Sequence, residues 1–536
     1  MRTYGVDRSR LWGKTVLHSA GRLVALLLAA GALALLPAGP FPASVSASTF
    51  IVDSTDDAVD ISPGDTTCAA ASGDCTLRAA IQEANALAGA DAITLPAGTY
   101  TLTIAGILED AAATGDLDIT DDLTLTGAGV ADTIVDGGAL DRVFHVLPGA
   151  IDSQVHFREP GGEAKEDLAS GSEAAVMGGI TAVFEMPNTW PPTTDAAALE
   201  DKLKRAKGRM YCDHAFYVGG TAENAQGLAE LERQAGCAGV KVFMGSSTGT
   251  LLVAGDEALR EVLSHGNRRV AIHAEDETRL EQRKHLAEPG KVETHPVWRD
   301  EEVAFLATKR VVKLARETGR RIHVLHVTTS QELALLAQAK DIATIEVTPQ
   351  HLTLTAPECY RLHNTFAQMN PPIRGARHRE AIWRAVSDGV ADVVGSDHAP
   401  HTIEEKQRTY PKSPAGMPGV QTLMPLLLHH LAEGRLSLER LVDLVAHGPA
   451  RIFGLGDKGR LEVGRHADFT IVDLDHMWTI RRAWLRSRAG WSPFEDMTIK
   501  GKVKGTIIRG VRVMWEDEIL GAPAGQPLSF DETLDL

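Results

Sequence analysis

Between residues 150 and 453, short apolar runs of strand length alternate with longer runs of helical period. Eight strand-like runs stand out: Ala150–Phe157, Ile180–Met186, His214–Val218, Val240–Met244, Val270–His273, His323–Val327, Thr344–Val347 and Val393–Ser396. Helical runs such as Glu166–Met177, Ala196–Lys207, Ala225–Gln234, Val303–Glu317 and Gln331–Lys340 separate most of them. A strand followed by a helix re-enters the sheet in the same direction, so the sheet is parallel and covered by helices. Eight such units predict an α/β fold, a (β/α)8 barrel, with the helical stretch Leu438–Phe453 closing it. Beyond it, Ala467–Val472, Gly505–Ile508 and Val511–Met514 read as strands of a small β-domain.

The first third of the chain has another texture. Residues 1–47 carry a basic start, an apolar run Leu23–Leu36 and a small-residue cleavage pattern at Val45-Ser-Ala47, which together read as an export signal. Residues 48–146 are rich in Ala, Asp, Gly and Thr, with short alternating strands at close spacing, as in a parallel β-helix. The expected organisation is signal 1–47, β-helix-cap-like segment 48–146, barrel 147–458, and small β-domain with tail 459–536. Cys68 and Cys75 fall in the exported-looking segment and are expected to pair. Cys212, Cys237 and Cys359 form no CxxC pair and read as buried thiols rather than a zinc-thiolate site. A net charge of −17 without a long basic run argues against a nucleic-acid partner.

In a (β/α)8 barrel the chemistry sits at the C-terminal strand ends. Along residues 151–158, Asp152, Gln154, His156 and Arg158 alternate with apolar residues and share one face of a core strand. Such a face is costly unless it binds something. His156, Lys241, His273, His326 and Asp397 fall in or at the ends of five of the strands. Neutral imidazoles with a carboxylate suit zinc. A lysine ammonium cannot ligate; Lys241 joins the set only if carbon dioxide has carboxylated it.

These residues carry a resemblance. Residues 147–536 resemble the amidohydrolase superfamily and, within it, the dihydroorotases. The resemblance rests on His156-Phe-Arg-Glu-Pro-Gly161, Glu185-Met-Pro-Asn-Thr189, Gln368-Met-Asn-Pro-Pro-Ile-Arg374, Gly395-Ser-Asp-His-Ala-Pro-His401 with Lys406 five residues on, and Gly448-Pro-Ala-Arg-Ile-Phe-Gly454. It implies that His156, Lys241 as carboxylysine, His273, His326 and Asp397 bind one or two zinc ions. It further implies that Arg158, Asn188 and His401 hold a substrate carboxylate, and that Asn370 and the loop of Gly416, Pro418 and Gly419 contact the ring. Asp397 would take a proton from the attacking water and return it to the leaving nitrogen. The implied reaction interconverts dihydroorotate and N-carbamoyl-aspartate in pyrimidine synthesis. Residues 73–85 and 131–137 resemble secreted right-handed β-helix proteins.

Two departures shape the alternatives. The family pattern at the first strand is His-x-His, and here it is Gln154-Val-His156. An amide oxygen is a poor zinc ligand, so one ion held by Lys241, His273 and His326, or none, is the expectation. An inactive scaffold that binds aspartate carbamoyltransferase is therefore one competing reading. An allantoinase- or hydantoinase-like enzyme is another, against which Arg158 with Asn188 speaks; a secreted surface protein is a third. The second departure is the missing set of N-terminal strands that normally completes the small β-domain, which predicts exposed sheet edges. The change of texture falls at His145–Gly149, a string that fits both a β-helix rung and the entry to the first barrel strand, as a fusion or an assembly artefact would leave it. The compartments conflict: the signal directs export, the implied reaction is cytoplasmic. The resemblance also implies a homo-oligomer.

Overall fold

A computed structural model describes residues 47–106, 111–120, 123–128, 133–137, 145–246 and 251–531. Residues 1–46 of the expected signal, and part of the 131–137 motif, lie outside the described residues. The chain divides into two units, residues 1–145 and 146–536.

In the first unit, β1 (Thr49–Ile51), β2 (Asp91–Leu95) and β4 (Leu123–Gly127) form one parallel sheet. Strands β3 (Gly98–Thr101) and β5 (Thr133–Asp136) form a second parallel pair. The helix Leu77–Ala86 is capped by Thr76, whose hydroxyl accepts from the Ala79 amide at 3.1 Å. It packs Ile81 and Leu77 against Phe50, Ile93 and Leu95. Arg78 lies wholly inside this small core, paired with Asp57 at 2.6 Å. Cys68 and Cys75 form a disulfide. Closing so short a loop stabilises by about 2.5 kcal/mol.

The second unit begins with β6 (Val146–Pro148) and then enters the barrel. Its eight parallel strands are β7 (Ala150–Val155), β8 (Ile180–Glu185), β9 (Asp213–Gly219), β10 (Cys237–Phe243), β11 (Val270–His273), β12 (Ile322–Val324), β13 (Ala343–Val347) and β14 (Val393–Val394), ordered in space as in sequence. The strands are buried on both faces, as a helix-wrapped sheet requires. Helices such as Leu168–Met177, Glu301–Thr318 and Ala376–Ser387 cover the outside. Each of the eight expected strands forms; β7, β8, β10, β12 and β14 end one to three residues early. β12 stops before His326, which takes a left-handed φ of 38°, and β14 stops before Ser396, whose amide is claimed by a side chain.

That side chain is Asp152, and it closes the barrel. No ladder joins β14 to β7; the Ser396 amide instead donates to Asp152 Oδ1 at 2.9 Å, and the His156 amide donates to the His398 carbonyl at 2.7 Å. Burial pushes the Asp152 carboxyl up to about 7. At the floor, Phe453 and Phe530 plug the barrel edge-on against Phe184, at 5.1 and 5.7 Å between ring centres.

Strands β15 (Phe469–Thr479), β16 (Thr498–Ile508), β17 (Val511–Trp515) and β18 (Glu518–Ile519) form an antiparallel sheet. The expectation of unpartnered edges is corrected in part. β6 pairs with β15 over Phe469–Ile471, so the string at the textural boundary supplies an edge strand. Among the described residues, Val472, Asp473 and Met477–Thr479 of β15 pair with β16 alone.

Candidate active site

The C-terminal ends of the barrel strands surround a hollow. His156 follows β7, Lys241 lies in β10, His273 ends β11, His326 follows β12, and Asp397 follows β14; all five line the hollow. Arg158, Asn188, Asn370 and Gly416 line it as well. Arg158, His326 and Asp397 have positive φ values of 64°, 38° and 43°. Left-handed backbone costs an ordinary residue about 1–2 kcal/mol, and such strain concentrates where side chains must be aimed.

The polar atoms fall into two pairs with Lys241 beside them. In the first pair, His273 Nδ1 and His326 Nε2 face each other at 3.1 Å. Two nitrogens bound to one tetrahedral zinc ion lie about 3.3 Å apart, so the spacing suits ligands of a single ion. His273 Nε2 donates to Glu275 at 3.0 Å, which leaves Nδ1 as the lone-pair nitrogen. Burial would raise Glu275, but Arg299 and His273 hold it at about 2. Burial keeps His326 well below the usual histidine range and lowers His273, so both rings are neutral and able to ligate.

In the second pair, His156 Nε2 stands 3.3 Å from Asp397 Oδ1. His156 Nδ1 donates to Asn188 Oδ1 at 2.8 Å. Gln154 Nε2 donates to the same Asp397 oxygen at 2.9 Å, and Gln154 Oε1 has no partner. Gln154 therefore serves as a hydrogen-bond donor that orients Asp397. Burial pushes Asp397 up to about 7, against the opposing pull of His273, Lys241 and Arg158. Lys241 Nζ is buried without a hydrogen-bond partner, 4.3 Å from the Phe243 ring centre. Burial pushes it down to about 7, so a large share is free amine at neutral pH. Arg158 is 5% exposed, and its Nη2 has no partner.

Not every expected contact residue reaches the hollow. His401 is buried behind it, with Nε2 donating to the Ala415 carbonyl at 3.1 Å and Nδ1 3.2 Å from Lys165 Nζ. Pro418 and Gly419 line a separate small hollow beside His398, where the Gly419 amide donates to His398 Nδ1 at 3.1 Å. These three residues therefore stand outside the lining of the hollow. Glu275, Arg299, Phe243 and His295 were not anticipated. The sequence did hold a signal for Glu275, two residues past His273 in a strand direction; Arg299 lies 24 positions further on and had none.

A second acidic cluster lies at the opposite end of the barrel. Asp213 opens β9, and its carboxylate comes within reach of His466 and Asp468. Lys458 pairs with both carboxylates, at 2.7 Å from Asp213, and Arg509 pairs with Asp213. The Arg509 amide donates to Asp468 Oδ1 at 2.8 Å. With its own cations in place, this cluster does not fit a metal.

Comparison with known proteins agrees with the geometry. The description of the Amidohydrolase family matches residues 145–513. The chain is 38% identical over 412 residues to a dihydroorotase of Methanosarcina acetivorans, covering 74% of this chain and 86% of that one. It is 37% identical over 390 residues to a dihydroorotase of Pyrococcus furiosus, covering 72% and 86%. Among solved structures, an L-hydantoinase (dihydropyrimidinase) from Arthrobacter aurescens superposes with a TM-score of 0.70 at 28% identity, covering 81% of this chain and 99% of that one. On fold, site and sequence together, the chain belongs to the amidohydrolase family.

Proposed function

We propose that this cyclic amidohydrolase is a dihydroorotase, which opens dihydroorotate to N-carbamoyl-aspartate and closes it again. The observation that carries the choice of substrate is the buried Arg158 guanidinium at the pocket wall with an unpartnered Nη2. A ring that bears a carboxylate completes that group by a charge-assisted hydrogen bond; a neutral hydantoin leaves a buried cation unpaired, at a cost of several kcal/mol. The curated relatives named above are dihydroorotases.

The donor set fits a metal on one side. His273 Nδ1 and His326 Nε2 would hold a single zinc ion together with Lys241, once its free amine has added to carbon dioxide and released a proton to give the carbamate. When bound, zinc supplies a Lewis acid for the ring carbonyl and lowers the pKa of water. Asp397, aimed by Gln154 and by its left-handed backbone, accepts the proton of the attacking water and delivers it to the departing ring nitrogen. Its position near neutrality suits both directions. Arg158 orients the ring by its carboxylate, and Asn370 and Gly416 bound its other side.

Gln154 supports one competing reading, a non-catalytic partner of aspartate carbamoyltransferase. Both are tested by assaying the purified chain for ring opening with zinc and bicarbonate, beside Gln154→His, and with hydantoin, dihydrouracil and allantoin as competitors. Turnover of dihydroorotate by the native chain supports the enzyme. Turnover only by Gln154→His supports the scaffold, and preference for a neutral ring supports a hydantoinase. For the segment 48–146 we infer the first rungs of a right-handed β-helix, supported by the two short parallel sheets and the helix that precedes β2. An export signal at residues 1–47 accompanies that reading, and detection of the chain outside the cell tests it.

A further inference from the structure

Lys406 belongs to the second signature but takes no part in the chemistry above. It ends the short helix Ile403–Lys406 and is fully buried. Its Nζ donates to three backbone carbonyls: Gln368 at 3.1 Å, Pro414 at 2.9 Å and Gly416 at 2.9 Å. The neighbouring Glu405 carboxylate is turned to Lys165 and His401 instead. Three carbonyls match the three N–H groups of an ammonium; a neutral amine has only two. Burial pushes Lys406 down to about 7, with Glu405 opposing, so the charge is held at a cost that these carbonyls offset. An apolar side chain would fill the space with no such cost, which makes packing alone a poor account of a lysine here.

The three carbonyls belong to two loops that both reach the pocket. Gln368 stands two residues before Asn370, and Gly416 is itself a wall residue. Gly416 has φ +135° and approaches Ala399 so closely that a β-carbon would meet its carbonyl at 2.4 Å. The loops touch otherwise through the Gly416 amide, which donates to the Gln368 carbonyl at 2.9 Å, and the Ser413 hydroxyl, which donates to Gln368 Oε1 at 2.7 Å. On the far side, His295 Nε2 holds the Met369 carbonyl and Asn370 Oδ1, each at 3.0 Å.

We propose that Lys406 is a positioning residue whose ammonium latches the 368–371 loop to the 413–416 loop and so fixes the ring-contacting wall of the pocket. Its kinetic consequence rests on the dihydroorotase reading; the latch itself does not. The test is Lys406→Met in the full chain, read by hydrogen exchange and by kinetics. Exchange at residues 368–371 and 413–419 is expected to quicken at least about tenfold, with the barrel strands unchanged. Zinc content is expected to stay the same, while KM for dihydroorotate rises about tenfold and kcat falls less. Unchanged exchange in both loops overturns the latch, as does faster exchange spread through the barrel. A kcat loss that tracks zinc loss at constant KM overturns the positioning role. If Lys406→Met does not fold, Lys406→Gln, which keeps two N–H donors, is read in the same way with smaller shifts. If the native chain leaves dihydroorotate untouched, the substrate reading fails and the exchange experiment still decides the latch.

Discussion

The two ends of the barrel each hold buried carboxylates, histidine and a buried lysine, and they are opposite in kind. At the floor, Asp213, His466 and Asp468 draw together tightly enough to resemble a metal site, yet Lys458 and Arg509 already neutralise both acids. At the mouth the ligating atoms are more spread out, but Lys241 Nζ, Arg158 Nη2, Gln154 Oε1 and His326 Nδ1 have no hydrogen-bond partner. Buried polar groups are normally satisfied. At the floor each carboxylate has its cation and only His466 Nδ1 lacks a partner, so that cluster is structure; at the mouth a buried lysine and a buried arginine nitrogen stay open beside Gln154 Oε1 and His326 Nδ1, as in a site prepared for something that is not part of the chain.

The strongest way to break this contrast is at the mouth. His326→Ala, or treatment of the native protein with a chelator, is expected to remove zinc and to cut dihydroorotate turnover by about a thousandfold or more; added zinc should restore the chelated protein but not the variant. Metal analysis beside the assay checks it, and full activity without metal would sink the assignment.

The next effect is expected at the floor and on stability alone. Lys458→Met strands Asp213 and Asp468 as buried charges, of which only Asp213 keeps a guanidinium. It should lower the unfolding free energy by about 3 kcal/mol. Zinc content and KM of the folded fraction should be those of the native chain. Denaturant unfolding with a parallel assay separates these outcomes, and a Lys458→Met protein with lost metal would merge the two ends into one functional network.

Arg158→Met sharpens the contrast within the mouth. It should lower kcat/KM for dihydroorotate about a hundredfold, near 2.7 kcal/mol, while leaving zinc content intact. Activity on hydantoin should be unchanged or improved, because the unpaired cation is gone. Equal losses on both rings would mean that Arg158 is not the carboxylate partner.

The smallest effect is His466→Ala at the floor. Since Lys458 and Arg509 already neutralise the acids and His466 Nδ1 makes no hydrogen bond, stability should shift by less than about 0.5 kcal/mol and bound zinc not at all. A measurable fall in metal content would show that the floor cluster binds an ion after all.

The strands and their order were legible because parallel barrel strands are near-continuous apolar runs bounded by helices of a different period. The residues that line the hollow were legible because each stands in or near the end of such a run, where the fold puts chemistry; His273 closing β11 is the plainest case. The seam was not legible. Asp152 reads as one more polar residue on the ligand face, and only its 2.9 Å bond to the Ser396 amide, 244 positions away, makes it the closure of the barrel. The role of Gln154 was half legible. Sequence marks it as a poor ligand, and the fold turns it into the donor that aims Asp397.

What the sequence determined by itself is periodic or local: the eight alternations, the strand-end residues and the short-range cysteine pair. What only the tertiary structure decided is which polar groups meet. Lys458 and Arg509 reach the floor acids from segments remote from β9, and Lys406 finds three carbonyls on two loops, while Lys241 Nζ and Arg158 Nη2 find no hydrogen-bond partner. The physical reason is that a side chain's charge and hydrogen-bonding capacity are fixed by its type, whereas their satisfaction depends on long-range contacts and on burial, which exist only once the chain has closed around them.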